Sequence, residues 1–255
     1  MPKPQTADMT ETDTETDRVV PADSESVPTT NGLIDGLPAR ARAQFLALCE
    51  SHRLVLGEVV SEAGKLTRHV YFPTSGFISL VATLDGKPVI EVGMVGREGM
   101  LGAHVALGAK STPVHALVQG HGMALRISVS AFRSELARSP ALQRRIDLYL
   151  SVMLAQFAGS AACLRFHQIG PRLARWLLMS QDRAHSSRFH VTHEFLAYML
   201  GVRRVGITLA AKAMHDSRLI EYHRGALHVL DRPGLEAASC GCYAAGELIY
   251  SDQMG

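Results

Sequence analysis

Three sets of side chains in this sequence have the chemistry for a site. Arg203 and Arg204 open the string "RRVGITLAAKAMHD", where a guanidinium fork can grip a phosphate or the O6 and N7 edge of guanine. His52, His69, His104, His115 and His121 supply imidazoles before residue 130, and Cys49, Cys163, Cys240 and Cys242 are the thiols. Imidazoles and thiols bind metal only when their spacing closes a shell. His104, His115 and His121 are separated by ten and five residues with no acid following in register, so the closely spaced His-x-His of a metal-dependent cupin-like enzyme is not met. Cys240-Gly-Cys242 is tighter than a C-x2-C half-site and no second half-site follows it, so the pair reads as two thiols in a tail and no metal is expected. A phosphate-cradling glycine loop, a nucleophile elbow and an H-E-x-x-H string are likewise missing; "THEF" has no second histidine one turn on. The chain is not expected to be an enzyme.

The elements that must position these residues follow from composition and periodicity. With 47% apolar and 20% charged residues over 255 positions, the chain can bury a core or two. Its polar start lacks the order of a signal peptide, and no uncharged apolar run approaches a membrane span, so the expectation is a cytoplasmic protein away from membranes. The net charge of +2 is unevenly spread: residues 1–31 carry −5 and residues 164–232 carry +6. Residues 1–31 have almost no large apolar side chains and are read as a disordered acidic tail. The basic C-terminal third has the balance of a nucleic-acid binder.

After a short helix expected over 38–52, the pattern turns to β from Leu54 to about Ile127. A hairpin is expected about Asp85-Gly86, and a second from "VHALVQ" through Gly120-His121-Gly122 to "MALRISV". Short strands with glycine-rich turns suggest a barrel or jelly roll over 32–138. From Pro140, the positions Leu142, Ile146, Tyr149, Met153, Gln156, Ser160 and Cys163 step by four and three, and Leu148, Val152, Ala155, Gly159 and Ala162 form a second stripe. This predicts a helix over 139–163, roughly 36 Å long, with one face for the barrel and one for a second subunit. Gly170-Pro171 starts a new helix. Thr192 is an N-cap ahead of a helix that turns at Gly201 into the arginine-headed one, and "LIEYHRGALHVLD" reads as a hairpin about Arg224-Gly225. Residues 164–238 thus read as a winged helix-turn-helix, and 239–255 as a C-terminal tail.

The strings "VYFPTSGFISL", "RLARWLL", "THEFLAYMLGVRR" and "LIEYHRGALHVLD", in this order, resemble the Crp/Fnr superfamily of transcription regulators over about residues 33–238. The resemblance implies an α+β protein: an N-terminal double-stranded β-roll of the cyclic-nucleotide-binding type, a long dimerisation helix and a DNA-binding winged helix. It implies a homodimer through residues 140–163, double-stranded DNA as partner, and leaves RNA polymerase open as a further one.

Laid on that pattern, Arg204 takes the position of a guanine-reading arginine. Val205 and Leu209 replace the acid and second arginine usual in relatives. At i and i+4 they form an apolar patch beside Thr208, able to meet thymine methyls, with affinity drawn more from phosphates and DNA shape. Thr192, His193, Arg203, Lys212, His223 and Arg224 are the phosphate-contact candidates. A protein-contact role for the patch stays open. The effector is less defined. "VGREGMLGAHVALGAKSTPVHALV" places Met100 and Leu101 after Gly99 where nucleotide-binding relatives have an acid, and "KSTPV" lacks the phosphate-binding arginine, so cyclic AMP is disfavoured. Arg97 could substitute, and His104 and His115 are the candidates for haem, the one cofactor left open. With Cys49 alone before the long helix, an iron–sulfur cluster is disfavoured as well.

Overall fold

The computed structural model describes residues 31–255 apart from Gly86 and Arg224. The acidic stretch read as a tail, Gly86 of the first hairpin turn and Arg224 of the wing therefore lie outside the described residues. Asn31, counted with the tail in the sequence, already belongs to the folded body. Its side chain caps α1 (Gly32–Asp35) by accepting from the Leu33 N–H and donates to the carbonyls of Pro73 and Gly99. Helix α2 (Ala39–Leu46) is shorter than expected, because Glu50–Leu54 is strand β1 rather than a helix end.

The next strands are β2 (Val59–Ser61), β3 (His69–Pro73), β4 (Phe77–Leu84), β5 (Lys87–Val95), β6 (Val114–Gly120) and β7 (Gly122–Ser128). They form two antiparallel sheets, ordered β1-β7-β3 and β2-β6-β4-β5. The hairpin about Asp85-Gly86 is present as the β4–β5 ladder, with Leu84 opposite Lys87. The second expected hairpin is not. β6 pairs with β2 and β4, whereas β7 pairs with β1 and β3, so the chain changes sheet between Gly120 and Gly122. The corner is too tight for side chains: a Cβ on Gly76 would lie 2.3 Å from the Gly120 carbonyl oxygen, and one on Gly122 would lie 2.3 Å from that of Ser75. Glycines that look like a hairpin turn are thus a sheet-to-sheet crossing of the β-roll. Leu54, Tyr71, Ile78, Leu80, Val95 and Val118 fill the space between the sheets.

Helix α3 (Val129–Arg138) leads to α4 (Pro140–Phe166), 27 residues capped by the Ser139 hydroxyl. Leu142, Ile146, Tyr149 and Cys163 of the first stripe are buried, and so is Val152 of the second. The first stripe leans on this chain's own core, and the second does so through Leu148 and Val152, while Ala162 is exposed. A helix unread in the sequence helps cover them: residues 239–255 are no tail, since α9 (Cys242–Met254) runs back along α4 and brings Met254, Ile249 and Tyr250 into its core. Tyr250 donates to the Glu98 carbonyl, 2.9 Å away. α4 is long and apolar enough, by length and composition, to cross a membrane, contrary to the reading above; Leu142, Ile146, Tyr149 and Val152 pack on the β-roll and α9, whereas Leu154 and Phe166 stay exposed.

The C-terminal part holds α5 (Ile169–Ala184), β8 (Arg188–His190), α6 (His193–Met199), α7 (Arg204–Asp216), β9 (Ile220–His223), β10 (Ala226–Val229) and α8 (Arg232–Ala238). The wing has three strands, ordered β8-β10-β9, so "RFH" adds a strand to the expected two. Leu173, Leu177, Leu196, Ile207, Met214, Ile220 and Leu235 make its core. That core also takes in Phe77 and Met94 of the β-roll. Gly201, at φ +61° in the α6–α7 turn, presses on Ile90 of β5, where a Cβ would come within 2.6 Å of the Ile90 side chain.

Candidate nucleic-acid interface

Two caps set the geometry of the helix pair. The Thr192 hydroxyl accepts from the Phe195 N–H at 3.1 Å and starts α6. Arg203 occupies the N-cap of α7 without a capping side-chain bond, so the leading N–H groups of α7 and two guanidiniums stand at one exposed helix end. That end carries the positive pole of the helix. Ile207, Ala211 and Met214 bury one face of α7. The opposite face presents Arg204, Thr208 and Lys212 at four-residue spacing, with Val205 and Leu209 alongside, 63% and 64% exposed. The apolar patch read from the sequence is therefore open to a partner.

The other candidates take different settings. His193 is not a free cation. Its Nδ1 lies 3.1 Å from the Thr208 hydroxyl, which in turn donates to the Arg204 carbonyl, so Nδ1 carries the proton of the first bond. The ring stacks on Tyr222 of the wing at 4.4 Å, and the Tyr222 hydroxyl donates to the Val191 carbonyl. Burial and then the Arg204 charge push the His193 pKa down. One imidazole thus joins α6, α7 and the wing. Lys212 pairs with Asp216 at 2.6 Å on the surface, and His223 is exposed at the wing.

The effector candidates do not form a single constellation. His104, in a one-turn 3-10 segment (Ala103–Val105), shares a 2.9 Å hydrogen bond with the Thr67 hydroxyl, and burial followed by Arg133 lowers its pKa. His115 accepts from the Ala63 N–H through Nδ1, 3.3 Å away. Arg97 lies at the other end, its carbonyl accepting from Gly32 and its charge acting on His185. In the segment after Arg97, Met100 is wholly buried, Tyr149 donates to its carbonyl, and Gly99 sits against the Tyr149 ring.

Sequence reasoning missed two features. The first is a polar contact between the β-roll and α5. Glu91 of β5 accepts from Ser79 at 2.5 Å and from the Trp176 indole at 3.0 Å. Although the residue keeps some exposure, both carboxylate oxygens are engaged from within, and burial raises its pKa to about 7 against the pull of these bonds and of Arg183 and Arg175. The second is a thiol–imidazole group. Cys240 and Cys242 lie beside Cys163 and His167 at the end of α4, with all four donor atoms within 4.8 Å of one another. The half-site sought after Cys242 stands some seventy residues before Cys240, as a Cys-x3-His whose i, i+4 spacing on one helix was the available signal. The reading of Cys240 and Cys242 as two thiols in a tail, with no second half of a site, is corrected to that extent.

Comparison with known proteins places these parts. Residues 171–238 match the Crp-like helix-turn-helix domain family. Among solved structures, the chain is similar to the c-di-GMP-responsive global regulator CLP of Xanthomonas campestris, at 19% identity over 76% of this chain and 100% of that one, with a TM-score of 0.62. It is similar to FixK2 of Bradyrhizobium japonicum, at 12% identity over 75% and 98%, with a TM-score of 0.64. A CRP/FNR-family transcriptional regulator of Thermus thermophilus is similar at 20% identity over 74% and 98%, with a TM-score of 0.61. No curated protein matches the sequence.

Proposed function

The chain carries a Crp-like helix-turn-helix domain on a Crp/Fnr-type fold, and from that premise we propose that it is a dimeric, sequence-specific DNA-binding transcription regulator. Residues 32–138 are its sensor, 139–163 its dimerisation helix and 164–238 its DNA-binding part. The single observation that carries this reading is the exposed face of α7, with Arg203 and Arg204 at the helix end and Val205, Thr208, Leu209 and Lys212 following. Arg204 reads one guanine per half-site, Val205 and Leu209 meet thymine methyls, and Thr192, Arg203, Lys212 and His223 lie along the phosphates. Arg224 is assigned to the same backbone contact from the sequence.

The effector is neither cyclic AMP nor an iron–sulfur cluster. Met100 and Leu101 follow Gly99 where nucleotide-binding relatives carry an acid, "KSTPV" has no arginine for a phosphate, and the part before α4 offers Cys49 as its one thiol. The protein acts without an effector or with one of another class, and it binds rather than catalyses.

Duplex DNA selected from a random pool tests the proposal. Affinity is expected to fall linearly in log–log form as salt rises, through counterion release. Arg204→Ala is expected to cost ~1–3 kcal/mol and relax one base position, while Lys212→Ala weakens all sequences evenly. An Arg204→Ala protein with unchanged affinity and preference would remove the reading.

A further inference from the structure

We propose that Cys163, His167, Cys240 and Cys242 bind one Zn2+ in a tetrahedral three-sulfur, one-nitrogen site that fastens the DNA-binding part to the end of α4. The donor atoms are already grouped as such a site requires. Cys163 Sγ and Cys240 Sγ are 3.5 Å apart, and Cys242 Sγ and His167 Nδ1 are also 3.5 Å apart. Zinc bonds of ~2.3 Å to sulfur and ~2.0–2.1 Å to nitrogen put tetrahedral ligand edges at roughly 3.5–3.8 Å. These two edges need almost no change, and the wider pairs, up to 4.8 Å, close by about an ångström.

Backbone bonds hold the donors in place. His167 caps α4 with its N–H on the Cys163 carbonyl, which sets the two ligands one turn apart. The Cys240 N–H donates to the Pro171 carbonyl at the head of α5, and the Tyr243 N–H returns to Cys240 as α9 begins. Cys163 and Cys240 are buried, while His167 and Cys242 keep partial exposure and give an ion a way in. Charge supports the assignment. Three thiolates and one Zn2+ leave a net negative centre. Arg172 and Arg175 act electrostatically on these cysteines, Arg172 is buried, and the buried Arg175 Nε has no hydrogen-bond partner among the described residues.

A Cys163–Cys240 disulfide is the competing chemistry. It requires the sulfurs to close from 3.5 Å to about 2.05 Å, and it leaves His167 and Cys242 without a role. Zinc uses all four, and a soft-thiolate tetrahedron selects it over harder cations. All four ligands lie outside the matched helix-turn-helix segment, which ends at residue 238. The site therefore belongs to the hinge and the C-terminal extension. It closes a loop that contains α5 to α8, so the ion would clamp the base of the DNA-binding part where α4 hands over to α5.

The test uses the full chain, purified under reductant and without a metal-binding tag. Metal analysis is expected to find one Zn2+ per chain. Co2+ replacement is expected to give thiolate-to-cobalt charge transfer and the intense visible bands of a tetrahedral ion. Cys240→Ser and His167→Gln are expected to lose the metal, Cys49→Ser to keep it. Chelation is expected to lower the melting temperature of the parent but not of Cys240→Ser. A folded parent protein that takes up neither Zn2+ nor Co2+, a reductant-resistant Cys163–Cys240 disulfide, or full zinc retention by His167→Gln and Cys240→Ser would each overturn the proposal. Because the parent's own metal content and cobalt spectrum decide the matter, misfolding of a variant leaves the outcome readable.

Discussion

His193 and Arg204 show how one surface can hold residues with different duties. Arg204 stands free at the head of α7, whereas His193 is bonded to Thr208 and stacked on Tyr222. A phosphate contact and a positioning contact leave different traces in a binding experiment. Losing a phosphate cation reduces the salt slope by about 1, while losing a neutral brace leaves the slope in place. His193→Ala is therefore expected to weaken DNA binding several-fold, with unchanged base preference and salt slope, and to cost about 1 kcal/mol of stability through the lost stacking and hydrogen bond. Fluorescence anisotropy across a salt series checks this; a slope lowered by a full unit would restore His193 to the phosphate contacts. The Thr192 cap, the Gly201 turn and the arginines of α7 were legible in the sequence because each is a local signal. The His193–Tyr222 stack was not, since it joins residues 29 positions apart with no pattern between them.

At the scale of elements, what escaped the sequence are the contacts between units with separate periodicities. Strands, helices and their order follow from alternation and stripes, but neither Glu91 nor Trp176 carries any mark of the other. The same holds for α9, whose mixed polarity reads as a tail until α4 is there to receive it. The change of sheet at Gly120–Gly122 is hidden because a glycine-rich hairpin and a glycine-rich crossing have the same local composition. Glu91 gives the β5–α5 contact a pH dependence. Its folded pKa of about 7 lies above the ordinary 4.5, so between these values the folded chain holds a proton that the unfolded chain has released. Stability then falls as pH rises through that window. The loss is at most about 3 kcal/mol, at 1.36 kcal/mol per unit. Trp176 is the single tryptophan, so its fluorescence reports the contact directly. Denaturant midpoints followed at that signal are expected to decline from pH 5 to pH 7 in the parent, and Glu91→Gln is expected to flatten the decline. A parent protein whose midpoint rises over this range would reverse the sign of the argument.

At the scale of the whole molecule, the described residues leave one long face open. With Leu142, Ile146, Tyr149 and Val152 turned into the chain's own core, α4 still exposes Ser151, Leu154, Ala158, Ala161 and Ala162, and Leu154 is 69% accessible. Small residues around one leucine allow two helix backbones to approach closely, and a twofold axis along such a seam makes each patch its own complement. A helix-turn-helix dimer reads half-sites about one DNA turn apart, ~34 Å, so the duplex favours the same symmetry. If the proposed dimer forms on this face, a charge at its centre must be buried twice across the axis, at a cost that a solvent-exposed position in a monomer does not incur. Leu154→Glu is thus expected to leave the far-UV spectrum and melting behaviour of the monomeric unit intact, convert the protein to a monomer in sedimentation, and weaken binding to a two-half-site duplex by at least about 100-fold, the loss of the second, effectively intramolecular contact. Binding to a single half-site is expected to change little. A Leu154→Glu protein that sediments as a dimer and holds the full site as tightly as the parent would move the subunit interface off α4 altogether.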